Sequence, residues 1–348
     1  MKKYSLTIAV TGMNAIDSPG PGIGVIRALR DCQDFNLRII GLSYEALEPG
    51  IYMHDIVDKS YQIPYPSAGS SQLMDRIKQI NANESIDVVI PNFDAELSNF
   101  IRLGPELKKM GIHSFLPSLK KMEEVDKMHL ADFGKKHGFE VPETKFISSA
   151  KQIQDIEETF DYPLVVKGRY YDAYIARNQG QVTSYFHNLN ARWGLPVVIQ
   201  EFVEGIEIDI VGLGNGKGKL IGAIPLRKLF ITDKGKGWSG VVLEDNILID
   251  LAHKFAASSE WAGGFEMELM RTKEEKFYIM EINPRFPAWV YTAAAAGQNL
   301  PALLVKLALG EDVTPFESYQ AGKMFVRYSW DLITDISEFQ QINTMGEL

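Results

Sequence analysis

The sequence predicts an α/β protein with a parallel sheet in its N-terminal third and an α+β arrangement further on. Apolar, strand-like runs alternate with helix-like segments over residues 1–117, and the later strand-like runs are longer. Hydrophobic residues make up 45% of the 348 residues, which is typical of a packed globular protein. Strands separated by helices favour a parallel sheet with right-handed crossovers. A chain of this length exceeds one simple core, so two or three packed units are expected.

The N-terminal elements follow one another in a regular order. Strands are predicted over 6–10, 37–42, 87–90 and 113–116, and helices from 26 onwards, over 71–80 and over 99–110. The glycine-rich segment 20–24 follows the first strand and precedes a helix, a position suited to anion binding. It lacks the full dinucleotide-binding spacing, so we interpret it as a weak cofactor signal.

The central and C-terminal elements differ in character from the first third. Ser118 is predicted to cap a helical segment that includes Lys127 and ends near Gly138. Strands are predicted over 164–169, 197–203, 206–213, 220–231, 264–271 and 277–283, with Gly/Lys-rich loops over 214–219 and 232–240 that we interpret as mobile covers. Boundaries near 117 and 204 give three predicted domains: 1–117, 118–204 and 205–348.

Composition narrows the class of function. The net charge is -9, with 45 acidic and 36 basic residues, which argues against a bulk electrostatic grip on nucleic acid. Cys32 is the one cysteine, as is usual in a reducing compartment. No run approaches the roughly 20 apolar residues that span a bilayer, and the first apolar run is too short for a signal peptide. We therefore predict a cytoplasmic protein with no nucleic-acid or membrane partner, with a homodimer as the default assembly.

Two strand-like runs around a charged turn carry the most informative pattern. Alternation along a strand places Glu266 and Glu268 on one face, and Glu281 and Asn283 on one face of the next run. If the runs pair symmetrically, Glu268 lies opposite Glu281 and oxygen ligands of the kind that Mg²⁺ prefers converge. Like charges on one face would repel one another without a cation. Spacing alone leaves a solvated strand face open as the alternative.

Three further features suggest ligand contacts. Lys167 ends the apolar run 164–167, where a strand-end lysine reaching into water is the alternative. Lys127 lies in a charged, helical stretch whose alternative is a solvated face. In the segment 197–207, a buried strand gives way to a polar turn and resumes. Such a hinge offers backbone groups to a purine and a carboxylate to ribose hydroxyls, and a bulged strand is the alternative.

Taken in order, these motifs resemble the ATP-grasp superfamily, in particular the branch of carbamoyl-phosphate synthetase large subunits, biotin carboxylase and the pyrrolysine-pathway ligase. Segment 281–285, Glu-Ile-Asn-Pro-Arg, matches the family's E-x-N-P-R signature, and 138–144 matches its G-x-x-V-P-x-T stretch. The resemblance covers nearly the whole chain and implies an ATP-grasp fold with an N-terminal pre-ATP-grasp domain. It implies ATP as cofactor with Mg²⁺, or alternatively Mn²⁺, held by the following residues: Glu268, Glu281 and Asn283.

The resemblance also assigns the remaining site residues. Its implied ATP-binding set is Lys127 and Lys167 for phosphates, Gln200, Glu201, Phe202 and Val203 for adenine, and Glu207 for ribose. Arg285 and Arg227 are the implied catalytic residues, in contact with phosphates or substrate. After Lys167, relatives carry a Gly/Ser-rich loop, whereas this chain has a single glycine followed by Arg169. Two interpretations stay open: Arg169 supplies charge instead, or Tyr170, Tyr171 and Asp172 contact an unusual substrate.

The function implied is an ATP-dependent ligase. A carboxylate is activated as an acyl phosphate, an amine of an amino acid or peptide attacks it, and ADP and phosphate are released. The partners expected are therefore small-molecule or peptide carboxylates and amines. Two alternatives stay open: a bicarbonate-activating carboxylase-type enzyme, and an ATP-binding protein or subunit with altered catalysis, which the unusual loop after Lys167 suggests.

Overall fold

The computed structural model describes residues 4–16, 18–168, 172–233 and 235–348. These form two compact units. The first unit comprises 1–123, 209–267 and 282–348, and the second unit comprises 124–208 and 268–281. The three-domain division at 117 and 204 stays a prediction. Arg169, like Tyr170 and Tyr171, lies outside the described residues.

A parallel four-stranded sheet opens the first unit. Its strands are β1 (Tyr4–Val10), β2 (Phe35–Ser43), β3 (Lys59–Gln62) and β4 (Val88–Ile90), in the order β3-β2-β1-β4. The accompanying helices are α1 (Pro21–Arg30), α2 (Ser70–Glu84) and α3 (Asp94–Lys109). All three strand pairings are parallel, which confirms the predicted α/β class.

Two sequence expectations in this region are wrong. Residues 113–116 were expected to form a strand, but His113 makes only an isolated parallel bridge to Val88 before the chain turns away. The fourth strand is instead β3, whose Lys-Ser-Tyr-Gln sequence has no apolar run that a pattern search would detect. Pairing with β2 stabilises it, so this strand is a product of tertiary contacts.

A six-stranded sheet contributes most of its residues to the first unit. Its strands are β9 (Ile206–Asn215), β10 (Leu220–Ile231), β11 (Gly237–Val242), β12 (Ala262–Arg271), β13 (Phe277–Asn283) and β14 (Met324–Val326), in the order β13-β12-β9-β10-β11-β14. The helices are α7 (Asn246–Ser259), α8 (Tyr291–Ala295), α9 (Leu300–Ala308) and α10 (Ile336–Met345). The two Gly/Lys-rich loops connect neighbouring strands of this sheet, and the second gives way to β11 at Gly237.

The second unit contains an antiparallel four-stranded sheet. Its strands are β5 (Thr144–Ile147), β6 (Leu164–Lys167), β7 (Ala173–Ala176) and β8 (Val197–Glu201), in the order β5-β8-β6-β7. Helices α5 (Leu130–His137) and α6 (Gln179–Trp193) belong to this unit, and α4 (Leu119–Glu124) precedes it. One face packs a core that includes Ile147, Val166 and Phe186.

The helix predicted to run from Ser118 to Gly138 is interrupted between α4 and α5. Asp126 Oδ1 accepts hydrogen bonds from the backbone N–H groups of Met128 at 2.8 Å and His129 at 3.0 Å. This side-chain interaction satisfies donors at the start of α5, as a helix cap does, and fixes a turn. Lys127 therefore lies in that turn, whereas the sequence pattern predicted that it lies on a helix. No helix of the described chain is long and apolar enough to cross a membrane.

Candidate functional site

Two lysines and two glutamates form a charged cluster within the second unit. The Lys127 Nζ lies 3.2 Å from the Glu281 Oε1, and each side chain is about one-third exposed, at 39% and 34%. The charges of Glu281, Lys127 and Glu268 all act on the pKa of Lys167, so each of these three groups lies within electrostatic range of Lys167. We call these residues the lysine–glutamate cluster. It assembles the Lys127, Lys167, Glu268 and Glu281 that the sequence had singled out.

Lys167 occupies the most enclosed position of this cluster. It ends β6, and its Nζ donates to the Oε1 of Gln200 on the paired strand β8, at 2.7 Å. The Gln200 Nε2 donates in turn to the Thr144 Oγ1, at 3.0 Å. Burial lowers the pKa of Lys167, whereas the charges of Glu281 and Glu268 raise it. The ammonium therefore points into the protein and gains from an anionic ligand; it does not reach into bulk water as a surface lysine would.

The hinge predicted over 197–207 is present as a break between two strands. β8 ends at Glu201 and β9 begins at Ile206. Glu201 is exposed, and its Oε2 accepts from the Glu143 backbone N–H at 3.3 Å. A Cβ on Gly205 would lie 2.3 Å from the Arg271 carbonyl oxygen, so the turn requires glycine there.

The remaining hinge residues differ in how far they are exposed. Phe202 is half-buried and Val203 is buried, while Glu207 is half-buried near the start of β9. Gln200 has a role that the sequence did not predict, because its side chain binds Lys167 and Thr144. Their adenine and ribose contacts stay predictions.

The proposed metal ligands lie on the neighbouring strands β12 and β13. The turn between them is closed by the Thr272 N–H, which donates to the Lys276 carbonyl at 2.9 Å. Glu268 and Glu281 are half-buried, whereas Asn283 is 6% exposed. Two carboxylates and an amide oxygen are a hard donor set of the kind that Mg²⁺ accepts. Within the described ranges, no group of three or more His, Cys, Asp or Glu side chains is placed to hold a metal ion.

Glu266, in the first unit, is the functional residue that sequence reasoning missed. Its side chain is buried and accepts from the Trp289 Nε1 at 2.9 Å, the Asn283 Nδ2 at 3.1 Å and the Arg285 Nη1 at 3.2 Å. The Arg285 Nε also donates to the Asp94 Oδ2, at 3.2 Å. Glu266 therefore orients both Asn283 and Arg285. An acidic residue in the otherwise apolar run Gly-Gly-Phe-Glu-Met was the available signal.

Arg227 and the loop after Lys167 complete the predicted set. Arg227 is exposed on β10, opposite Val241 of β11. Its neighbour Lys228 forms a buried ion pair with Asp209, at 3.3 Å, which the sequence analysis did not anticipate.

The described ends of the loop between β6 and β7 are held together by the Gly168 N–H, which donates to the Asp172 carbonyl at 2.9 Å. The Asp172 carboxylate accepts from the Arg192 Nη1 and the Trp193 Nε1, each at 2.8 Å, which ties this loop to α6.

Comparison with known proteins identifies the fold. The family described as "ATP-grasp in the biosynthetic pathway with Ter operon" matches residues 195–329. The biotin carboxylase domain of 2-oxoglutarate carboxylase from Hydrogenobacter thermophilus matches with a TM-score of 0.70 at 17% identity, covering 90% of this chain and 73% of the other. The chain has the ATP-grasp fold.

Two further solved structures show the same likeness in fold. Biotin carboxylase from Campylobacter jejuni gives a TM-score of 0.70 at 17% identity, covering 91% of this chain and 74% of that one. Phosphoribosylglycinamide synthetase from Anaerococcus prevotii gives 0.64 at 13% identity, covering 92% and 80%. Among curated proteins, no sequence relative was found. The predicted fold class is confirmed, and the predicted branch of the superfamily stays a prediction.

Proposed function

We propose that this ATP-grasp protein is an ATP-dependent ligase that activates a carboxylate as an acyl phosphate and joins it to an amine. The lysine–glutamate cluster carries the proposal, because it combines phosphate-binding cations with carboxylates suited to a metal. Its Lys127–Glu281 contact is 3.2 Å, and Lys167 is held by Gln200 at 2.7 Å. The similar fold of the Hydrogenobacter thermophilus domain, which was crystallised with MgADP and bicarbonate, supports nucleotide use. The similar fold of a phosphoribosylglycinamide synthetase supports ligase chemistry.

The nucleotide is proposed to bind along the residues already assigned to it. Lys127 and Lys167 bind phosphate oxygens, the segment 200–203 contacts adenine, and Glu207 binds ribose hydroxyls. Lys167 suits this role because its enclosed ammonium gains more from a phosphate than an exposed one would. Glu268, Glu281 and Asn283 would hold Mg²⁺, which supplies charge neutralisation for the phosphates when it is bound.

The chemistry needs positioning and positive charge more than a protein nucleophile. A substrate carboxylate oxygen attacks the γ-phosphorus, and the bond from that phosphorus to the β–γ bridging oxygen breaks to release ADP. The amine nitrogen then attacks the acyl carbon, loses a proton, and the acyl C–O bond breaks to release phosphate. Arg285 and Arg227 stabilise the negative charge that develops on these oxygens. Glu266 and Asp94 fix the Arg285 guanidinium from two sides.

A second candidate is an ATP-binding protein with altered catalysis. The loop between β6 and β7 favours this candidate. Its described ends contain one glycine, and its Asp172 carboxylate already accepts hydrogen bonds from Arg192 and Trp193. A bicarbonate-activating enzyme is the third candidate, by likeness to the carboxylase structures.

ADP release separates these candidates. The purified protein with MgATP is offered a panel of amino acids and peptides in pairs, and separately bicarbonate. Turnover that requires a carboxylate–amine pair supports the ligase, turnover with bicarbonate alone supports the carboxylase, and nucleotide binding without turnover supports the binding protein. Glu281→Ala is expected to abolish Mg²⁺-dependent turnover, whereas Glu274→Ala, an exposed carboxylate in the same hairpin turn, serves as the matched control. Unchanged turnover in Glu281→Ala would refute the metal assignment.

A further inference from the structure

The carboxyl ends of three neighbouring strands, β2, β1 and β4, meet at one edge of the N-terminal sheet. We call the segments 11–14, 43–48 and 90–96 that follow these strands the N-terminal edge. In open α/β sheets, ligands bind outside the carboxyl ends of the strands. Glycines bring the backbone close together here: a Cβ on Gly20 would lie 2.3 Å from the Asn14 Oδ1, and one on Gly12 would lie 3.2 Å from the Asn92 Cβ.

A fully buried carboxylate ties the N-terminal edge together. Glu96 accepts hydrogen bonds from the Thr11 hydroxyl and the Tyr44 hydroxyl, which come from the ends of β1 and β2. It also accepts from the backbone N–H groups of Asn92 at 2.7 Å and Phe93 at 2.9 Å. Four donors thus satisfy Glu96, and the three strand ends are held in one fixed arrangement.

Glu48 is the second buried carboxylate at this edge, and only one of its oxygens is satisfied. Its Oε1 accepts from the backbone N–H groups of Tyr44 at 2.8 Å and Glu45 at 3.2 Å. Its Oε2 is buried and has no hydrogen-bond partner among the residues described. Glu48 is only 7% exposed, so water has little access to this oxygen. A buried carboxylate oxygen without a donor is costly, and a bound donor would relieve that cost.

Two asparagine side chains at this edge also have a buried oxygen without a hydrogen-bond donor among the described residues. Asn92 is 1% exposed, and its Nδ2 donates to the carbonyls of Thr11 at 3.0 Å and Ile90 at 2.9 Å. These bonds fix the amide orientation, and the buried Oδ1 finds no donor in the described part of the chain. The same is true of the Asn14 Oδ1, on the loop that follows β1. The Ser43 Oγ, at the end of β2, is a fourth buried atom of this edge without a partner among the described residues, and a hydroxyl both donates and accepts. The three unmatched atoms on Glu48, Asn92 and Asn14 are acceptors.

We propose that the N-terminal edge binds a small ligand that carries a primary ammonium with neighbouring N–H or O–H donors. Acceptor atoms select for donors, and the Glu48 and Glu96 carboxylates disfavour an anion such as phosphate. The proposal rests on the ligase function, because the ligand is identified as the amine that attacks the acyl phosphate. Asn92 also lines a small pocket together with Arg285, Pro284 and Phe115, so this one residue of the N-terminal edge lies beside the arginine assigned to the acyl phosphate.

The protonation of Glu48 is consistent with this assignment. Burial raises the pKa of Glu48 to about 7, although the N–H groups of Tyr44 and Glu45 lower it, and the charges of Glu45 and Glu96 raise it further. A bound ammonium would stabilise the ionised form of Glu48 and so lower that pKa again. The ionised Glu48 carboxylate and a cationic ligand would therefore stabilise each other at this site.

The test uses the full-length protein and simple probes. Glycinamide and ethanolamine carry a primary ammonium with neighbouring donors, whereas tetramethylammonium carries the charge but no N–H group. Calorimetry and thermal unfolding measure binding of each probe to the wild type, to Glu48→Gln and to Glu106→Gln. Glu106 is exposed on α3 and lies outside the segments of the N-terminal edge, so its variant removes an equal charge without touching the site.

Saturable binding of glycinamide or ethanolamine, with none for tetramethylammonium, is the expected result. Glu48→Gln is expected to weaken it at least about tenfold, because a charge-assisted hydrogen bond is lost, while Glu106→Gln leaves it unchanged. Because Glu48→Gln removes a buried charge, the ligand-free variant should melt no lower than the wild type, which a purely structural role would not give.

Equal binding to both variants, or equal binding of tetramethylammonium, would overturn the proposal. So would a crystal structure soaked in glycinamide that shows ordered water alone at Glu48 and Asn92. MgADP binding is measured in parallel and keeps the two hypotheses apart. Absent nucleotide binding contradicts the proposed ligase, whereas normal nucleotide binding without amine binding contradicts only the amine site.

Discussion

In the second unit, lysines contact or lie near glutamates, whereas the segments of the N-terminal edge of the first unit contain carboxylates and amides but no lysine or arginine of their own. Lys127 contacts Glu281 at 3.2 Å, so charges there are matched before any ligand arrives. At the N-terminal edge, Glu48 keeps a buried oxygen without a donor. In the proposed function, the lysine–glutamate cluster would present cations to a phosphate and the N-terminal edge would present acceptors to an amine.

A second contrast lies within the first unit. Glu266 and Glu48 are both buried glutamates, at 6% and 7% exposure. Glu266 accepts from Trp289, Asn283 and Arg285, whereas one Glu48 oxygen accepts nothing in the described chain. Burial alone therefore does not distinguish these two carboxylates; the unmatched oxygen of Glu48 does.

The largest effect is expected at Glu266. Glu266→Ala leaves the donors of Trp289, Asn283 and Arg285 without their carboxylate, so the free energy of unfolding should fall by about 3–5 kcal/mol. Urea unfolding measures this change. Glu266→Gln keeps one accepting oxygen and should lose less. If Glu266→Ala unfolded with the same free energy as the wild type, the hydrogen bonds to Glu266 would not stabilise the fold, and the contrast between the satisfied Glu266 and the unmatched Glu48 would not hold.

Lys167 tests the second unit. Lys167→Met should weaken MgADP binding about a hundredfold, because a partly desolvated cation is lost. Its stability should be unchanged or higher, since the buried ammonium is replaced by an apolar group. Calorimetry measures the affinity, and Lys135→Met, an exposed lysine on α5, is the matched control. Equal losses in both variants would indicate a general charge effect.

The pH dependence of stability tests the assignment of Glu48 in the first unit. The folded pKa, about 7, lies above the ordinary value of 4.5, so the folded state binds more protons than the unfolded state between these values. Stability that Glu48 contributes at low pH is therefore lost as pH rises through about 7. The stability gain of Glu48→Gln over the wild type should grow from near zero at acid pH towards about 3 kcal/mol above pH 7. Thermal melts across this range measure it, and a pH-independent difference would contradict the assignment.

The smallest effect is expected at Asp172, which ties the loop after β6 to α6. Asp172→Asn weakens the bonds from Arg192 and Trp193, and because Arg192 is 63% exposed the loss should be about 1 kcal/mol or less. Urea unfolding checks the stability, and MgADP affinity checks the ligand side. A large loss of affinity with little loss of stability would make this loop part of the nucleotide site.

Local patterns predicted the regular elements well. The runs 220–231 and 277–283 were predicted with the bounds that the structure gives, because long apolar alternation is a strong signal. The strand β3 was missed, since its Lys-Ser-Tyr-Gln sequence depends on pairing with β2. The helix break at Lys127 was missed as well, because it depends on one Asp126 side chain capping α5.

Sequence by itself determined the fold class, because the alternation of strand-like and helix-like runs follows from local periodicity. The resemblance to the ATP-grasp superfamily, read from sequence motifs, singled out the residues of the lysine–glutamate cluster. Tertiary structure alone decided which of these side chains meet. It brought Lys127 to Glu281, turned Gln200 towards Lys167, and made Glu266 the support of Asn283 and Arg285. It also left acceptors of Glu48 and Asn92 buried and unmatched in the described chain, since hydrogen-bond satisfaction depends on contacts between segments far apart in sequence.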